Sequence, residues 1–137
     1  MSVFVDSSVW FAAANIRDQY NERAKEVLGE LGVPLTTDHV VVETWLLLNS
    51  RVSRHAAEEF WRGIRGGIAT MEYITPADTE AAWAITERFA DQSFSLVDRT
   101  SFAVMERLCL TRAASFDRDF AIYRYGRDRN RAFEVLR

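Results

Sequence analysis

Apolar positions along the chain switch repeatedly between short continuous runs and helical spacing. Ser2 to Val5 is a short apolar run that reads as a strand, and Ser7-Ser8-Val9-Trp10-Phe11-Ala12 continues as a helical pattern. Ala24, Val27, Leu28 and Leu31 recur at helical spacing within Tyr20 to Leu31; Gly32 ends that helix and Pro34 prevents its return. Leu35 to Thr37 reads as a strand, and Val40 to Leu48 as a helix that is apolar nearly all round. Ala56 to Ile64 is an amphipathic helix stopped by Gly66-Gly67, and Thr70 to Ile74 alternates as a strand. Pro76 opens a helix over Ala77 to Ala90 from its first turn. A further helix is expected over Asp98 to Leu110, with strands over Arg112 to Ser115 and Phe133 to Leu136.

Strands and helices therefore alternate. That order predicts an α/β fold, an open parallel β-sheet flanked by helices on both faces. No repeat, linker or low-complexity segment interrupts the chain, so residues 1–137 are expected to form one domain. In such sheets the chemistry lies beyond the carboxyl ends of the strands, where strand order reverses.

Four acids fall at those places. Asp6 follows the first strand, Asp117 follows the strand over 112–115, and Asp98 opens a helix after the loop from Gln92. Each of these three also reads as a helix N-cap, a role that suits Asp. Glu43 is different, because it is the one charged residue in Val40 to Leu48. A carboxylate on a buried helix must find water, a cationic partner or a metal, since an unpaired buried charge is very costly. Converging carboxylates repel one another unless a cation lies between them. A hard divalent ion with oxygen ligands removes the conflict, lowers the pKa of water and stabilises charge on a phosphoryl group. Phosphate-ester hydrolysis is the chemistry this set suggests.

Composition narrows the alternatives. Hydrophobic residues make up 48% of the 137 and charged residues 27%, as in a folded globular chain. Residues 1–6 show no basic stretch leading into an apolar run, so no signal peptide is expected; the apolar stretch at 40–48 is too short for a membrane span. The single cysteine, Cys109, excludes an internal disulfide and fits a reducing cytoplasm; its position suggests a core residue on the last long helix. Net charge is −3, which by itself disfavours a nucleic-acid binder, but all basic residues except Lys25 are arginines, and arginine forks suit phosphate. His39 and His55 have no partner at zinc-ligand spacing, and no Gly-x-x-x-x-Gly-Lys pattern marks a P-loop. Trp10, Trp45, Trp61 and Trp83 fall on apolar helical faces and suggest core or dimer contacts.

At the acids the sequence resembles the PIN-domain family. Val3-Phe4-Val5-Asp6-Ser7-Ser8-Val9-Trp10 looks like the opening of these domains. Phe94 to Met105, around Asp98, is similar to their third acidic motif, and Ala114-Ser115-Phe116-Asp117-Arg118-Asp119-Phe120 to their fourth. Glu43 matches the helical acid between. Chains of this size in the family are mostly toxins of the VapBC type of toxin–antitoxin pair. The resemblance implies a PIN-like fold and endoribonuclease activity dependent on Mg²⁺ or Mn²⁺, with Asp6, Glu43, Asp98 and Asp117 as catalytic metal ligands. It also implies an RNA substrate, a homodimer, and inhibition by a small antitoxin protein. Ser7, Ser8 and Ser115 would hold metal waters or carboxylates, Arg99 and Arg118 would meet RNA phosphate, and Asp119 would stand near the metal.

Two other readings remain. One is a catalytically inactive PIN-like interaction module. The other is a receiver-like Mg²⁺-binding signalling domain, which is also doubly wound but needs a lysine after a late strand, whereas Lys25 lies on an early helix.

Overall fold

The computed structural model describes residues 2–137. Strand β1 (Val3–Val5) leads into helices α1 (Ser7–Ala14) and α2 (Asn21–Glu30), then strand β2 (Pro34–Thr37). Helices α3 (Asp38–Arg51) and α4 (Arg54–Arg65) precede β3 (Thr70–Glu72). Helices α5 (Pro76–Arg88) and α6 (Leu96–Arg107) then carry the chain to β4 (Arg112–Ala114), short helix α7 (Asp119–Ile122) and β5 (Glu134–Leu136).

The five strands form one sheet in the order β3-β2-β1-β4-β5, and every pairing is parallel. From β1 the chain winds outward to β3, then crosses back past β1 to β4 and continues to β5. Right-handed crossovers in opposite directions put their helices on opposite faces of the sheet. The order reverses between β1 and β4, so a crevice opens beyond the carboxyl ends of these two strands.

Local chemistry sets the helix starts. Thr37 caps α3 through the Val40 N–H at 3.1 Å, and Ser53 caps α4 through the Ala56 N–H at 3.0 Å. Thr75 with Asp78, and Ser95 with Asp98, form reciprocal capping boxes at α5 and α6. Beneath them lies a continuous core in which Phe4, Val5 and Ala113 of the sheet meet Val9, Phe102, Phe120 and Tyr123. Phe102 and Tyr123 stack face to face at 4.2 Å, and the Tyr123 hydroxyl donates to Glu106 Oε2 at 2.6 Å.

The structure departs from the expected elements in several places: strands β3, β4 and β5 are shorter than expected, and α7 has no expected counterpart. The helix after residue 95 starts at Leu96, not Asp98, because Ser95 is the cap and Asp98 the acid of its box. That helix ends at Arg107; Cys109 lies beyond it at φ 55 and is exposed rather than in the core. Helix α3 is not buried all round, since Val42 and Leu46 are more than half exposed. Trp10 is buried against Phe60 and Trp45 is half-buried under Arg54, whereas Trp83 is 62% exposed.

Candidate active site

An open cleft of about 620 Å³ lies where the strand order reverses. Asp6, Glu43, Asp98, Asp117 and Asp119 all line it, together with Ser7 and Ser8. Its position follows from the fold: β1 delivers Asp6, and β4 delivers Ser115 and Asp117 from the neighbouring strand end. Helices α3 and α6 bring Glu43 and Asp98 from either side.

Asp6 is held most tightly. It is buried, its carboxylate caps α1, and its Oδ2 accepts the Ser8 hydroxyl at 2.8 Å and the Ser115 hydroxyl at 2.9 Å. Those two serines are themselves held by backbone: Phe116 N–H donates to Ser8 Oγ at 2.9 Å, and Asp117 N–H to Ser115 Oγ at 3.0 Å. Ser7, also buried, donates its hydroxyl to Glu43 Oε1 and so ties α1 to α3. Asp98 Oδ2 accepts Ser95 N–H at 3.1 Å. Asp117 Oδ1 accepts Asp119 N–H at 3.0 Å, which fixes the start of α7.

Electrostatics of this cluster are unfavourable without a cation. Burial pushes the Asp6 carboxyl up, the Ser8 and Ser115 hydrogen bonds draw it back, and the Glu43 charge adds to the rise. Asp98 is pushed up to about 8, first by burial and then by the charges of Asp6 and Asp117. Asp119 is raised by burial and by Asp117. Asp98, Asp117 and Asp119 each bring one carboxylate oxygen to within 4.8 Å of the others. An all-oxygen, strongly anionic donor set of this size fits a hard divalent cation.

The four acids read from the sequence thus converge, and so do Ser7, Ser8 and Ser115. Asp119, expected only near the metal, is part of the tightest trio, whereas Asp6 and Glu43 stand outside that trio on the same cleft. Asp6 caps α1 from the N-cap position, whereas Asp117 stands one residue before the N-cap Arg118 and reaches the first N–H of α7 from there. Arg99 does not reach the cleft. Its Nε donates to Ser95 O at 3.1 Å and a second nitrogen donates to Thr86 of α5. Adjacent helical residues point about 100° apart, so Asp98 and Arg99 face different neighbours. His39 pairs with Thr100 at 3.1 Å. Tyr20, Arg51 and Phe116 also line the cleft and had no distinguishing pattern, because each is brought there by a loop or a helix end.

The arrangement has known counterparts. The PIN-domain family model matches residues 3–125. The chain is 36% identical over 120 residues to the 23S rRNA-specific endonuclease VapC20 from two strains of Mycobacterium tuberculosis, covering 87% of this chain and 92% of that protein. The crystal structure of Mycobacterium tuberculosis VapC20, described as a sarcin–ricin loop cleaving toxin, superposes with a TM-score of 0.84 at 35% identity, over 88% of this chain and 93% of that one. FitAcB from Neisseria gonorrhoeae shares the fold at a TM-score of 0.58 and 16% identity, over 86% of this chain and 88% of that one. With its parallel five-stranded sheet, its acids at the reversal of strand order, and this match over most of its length, the chain belongs to the PIN-domain family.

Proposed function

We propose that this chain is a divalent-metal-dependent endoribonuclease, the toxin of a toxin–antitoxin pair, that residues 1–137 act as one PIN domain, and that the protein works in the cytoplasm. The observation that carries this reading is the convergence of Asp6, Glu43, Asp98, Asp117 and Asp119 on one cleft. Asp98, Asp117 and Asp119 would hold the ion directly, while Asp6 and Glu43 would hold its waters or a second ion. When bound, Mg²⁺ or Mn²⁺ supplies Lewis-acid stabilisation of phosphoryl oxygens and lowers the pKa of the attacking water. The protein's part is to fix the acids. Ser8 and Ser115 orient Asp6, Ser7 orients Glu43, and the α6 capping box orients Asp98.

The relationship to VapC20 makes the sarcin–ricin loop of 23S rRNA the substrate to try first. Incubation of purified ribosomes with the protein and Mg²⁺ should release one fragment from 23S rRNA, and EDTA or Asp98→Asn should prevent it. Intact 23S rRNA after long incubation with wild type in Mg²⁺ and in Mn²⁺ would end this reading.

For partners, the exposed apolar face of α3 supports a homodimer and a helical antitoxin. Val42 and Leu46 border a hollow of about 310 Å³ with Trp61, Met71 and Tyr73. An amphipathic partner helix would cover such a face. Among the described residues no helix is long and apolar enough to cross a membrane. Light scattering tests the dimer, and growth arrest relieved by the product of an adjacent small gene tests the antitoxin.

A further inference from the structure

Tyr20 and Phe116 stack at the mouth of the acidic cleft, with ring centroids 5.1 Å apart and planes inclined by 27°. Both backbones are held firmly. Tyr20 N–H donates to Asp18 Oδ1 at 2.7 Å, its carbonyl accepts from Ala24, and Asn21 ties the next residue to Ala12 O at 2.8 Å. Phe116 N–H is the group that donates to Ser8 Oγ, one step from Asp6. Yet Tyr20 is 48% exposed, so a positioned aromatic ring is left open to solvent beside the acids.

The charge of the cleft gives this ring a use. Six carboxylates line it (Asp6, Asp18, Glu43, Asp98, Asp117, Asp119), and Arg51 is the one cation among the lining residues. Electrostatic attraction, the usual source of affinity for nucleic acid, is therefore weak here. Base stacking on an aromatic face does not depend on net charge, and it requires a base that is not already stacked in a duplex.

Resting on the ribonuclease reading, we propose that the Tyr20–Phe116 pair is a platform that takes one unpaired nucleobase, placing an adjacent phosphate over Asp98, Asp117 and Asp119. The chain is thereby selective for looped or single-stranded RNA, and Tyr20 is its substrate-positioning residue.

The test measures binding of a fluorescein-labelled RNA hairpin carrying the sarcin–ricin loop sequence, by anisotropy in Ca²⁺, alongside cleavage in Mg²⁺. Tyr20→Ala should weaken binding about 5- to 150-fold, the range that loss of one stacked base implies. Tyr20→Trp should bind at least as tightly as wild type, and thermal melts of both variants control for folding. The penalty of Tyr20→Ala should vanish on a hairpin with an abasic sugar at one loop position. Binding by Tyr20→Ala within twofold of wild type, or a penalty unchanged by every abasic substitution, would overturn the platform. Cleavage without any dependence on Tyr20 would sink the platform and leave the ribonuclease standing. Tyr20-dependent binding without cleavage would do the reverse, and no RNA binding at all would remove both.

Discussion

Ser115, at the end of β4, donates its hydroxyl to Asp6 Oδ2 at 2.9 Å, joining residues 109 positions apart across the two strand ends where the sheet reverses. Ser8 donates to the same oxygen at 2.8 Å. Two hydroxyls thus fix Oδ2, while Oδ1 has only the Ser7 hydroxyl, at 3.5 Å. Ser115 is fully buried and also accepts the Asp117 N–H. Ser115→Ala should therefore loosen two acids at once. We expect RNA cleavage to fall about 10- to 100-fold, as for other loss of outer-shell support at metal sites. Stability should fall by about 1–3 kcal/mol, the cost of leaving buried polar groups unpaired. Cleavage rates and urea unfolding check both, and unchanged cleavage would mean that Asp6 needs no orienting.

Much of this site is legible in the sequence. Asp6 directly follows an apolar strand run, Asp117 comes just after the strand read over 112–115, and Glu43 is conspicuous as the lone charge in an apolar stretch. The topology expected from alternating elements then fixes where strand ends meet. Less is legible where short range competes with long range. Helix α7 has four residues, too few to show a period, so Asp119 at its start is legible only through the likeness of its motif, which places it near the metal and not among the ligands. Arg99 sits next to Asp98 in the chain but turns toward Thr86. Cys109 continues the helical pattern of α6, but the backbone turns at that residue toward β4. Tyr20 and Phe116 are 96 positions apart in sequence and meet only because α1 and β4 flank one crevice.

Away from the site, Arg107 clamps α6 to the β3–α5 connection. It donates through Nε and a terminal nitrogen to the two oxygens of buried Asp78, at 2.9 and 3.0 Å, and reaches Glu72 at 2.9 Å. Burial alone would raise the Asp78 carboxyl, but the hydrogen bonds from Arg107 and Thr75 outweigh it and hold the pKa below 3.8. A depressed carboxylate pKa adds stability above its unfolded value, and this is lost as pH falls through the folded one. Arg107→Ala should cost about 2–4 kcal/mol, somewhat less than for a fully buried pair because the arginine is one-third exposed. The wild type should lose this contribution as pH falls below 3.8, and the variant should lack that part of the acid destabilisation. Equal acid profiles for the two proteins would show that the pair contributes nothing. Cleavage at temperatures where both are folded should be unaffected.

The acid cluster has the opposite sign. Asp6, Asp98 and Asp119 all have folded pKa values above the ordinary 3.8, with Asp98 near 8. A raised carboxyl favours the fold while it is protonated, so this contribution is present below 3.8 and is lost as pH rises through the folded pKa. In EDTA, melting temperature should therefore decline between pH 4 and pH 8 from this source. Saturating Mg²⁺ should flatten the decline, because the ion favours the ionised acids that protons otherwise neutralise. Identical pH profiles with and without Mg²⁺ would mean that these carboxylates do not form its site.

Asp6→Asn separates the two roles that Asp6 combines. As an N-cap, Asn serves about as well as Asp, so α1 should form equally. The single amide oxygen can still accept from Ser8 and Ser115, which leaves the amide nitrogen in place of Oδ1. One negative charge is then gone from beside Glu43 and Asp98, whose repulsion raises the cluster. Without metal the variant should melt higher than wild type. With metal the order should reverse, since an ion that binds only the folded state stabilises it by about 2.7 kcal/mol at a hundredfold excess over its dissociation constant. The substituted amide would offer the ion's waters an N–H in place of a carboxylate oxygen and would remove one charge that balances the cation, so the Mg²⁺ response should shrink and RNA cleavage should disappear. Melts of both proteins in EDTA and across a Mg²⁺ series at fixed ionic strength give the comparison. If the two curves ran parallel, Asp6 would be a cap and nothing more, and the ion would have to rest on Asp98, Asp117 and Asp119 alone.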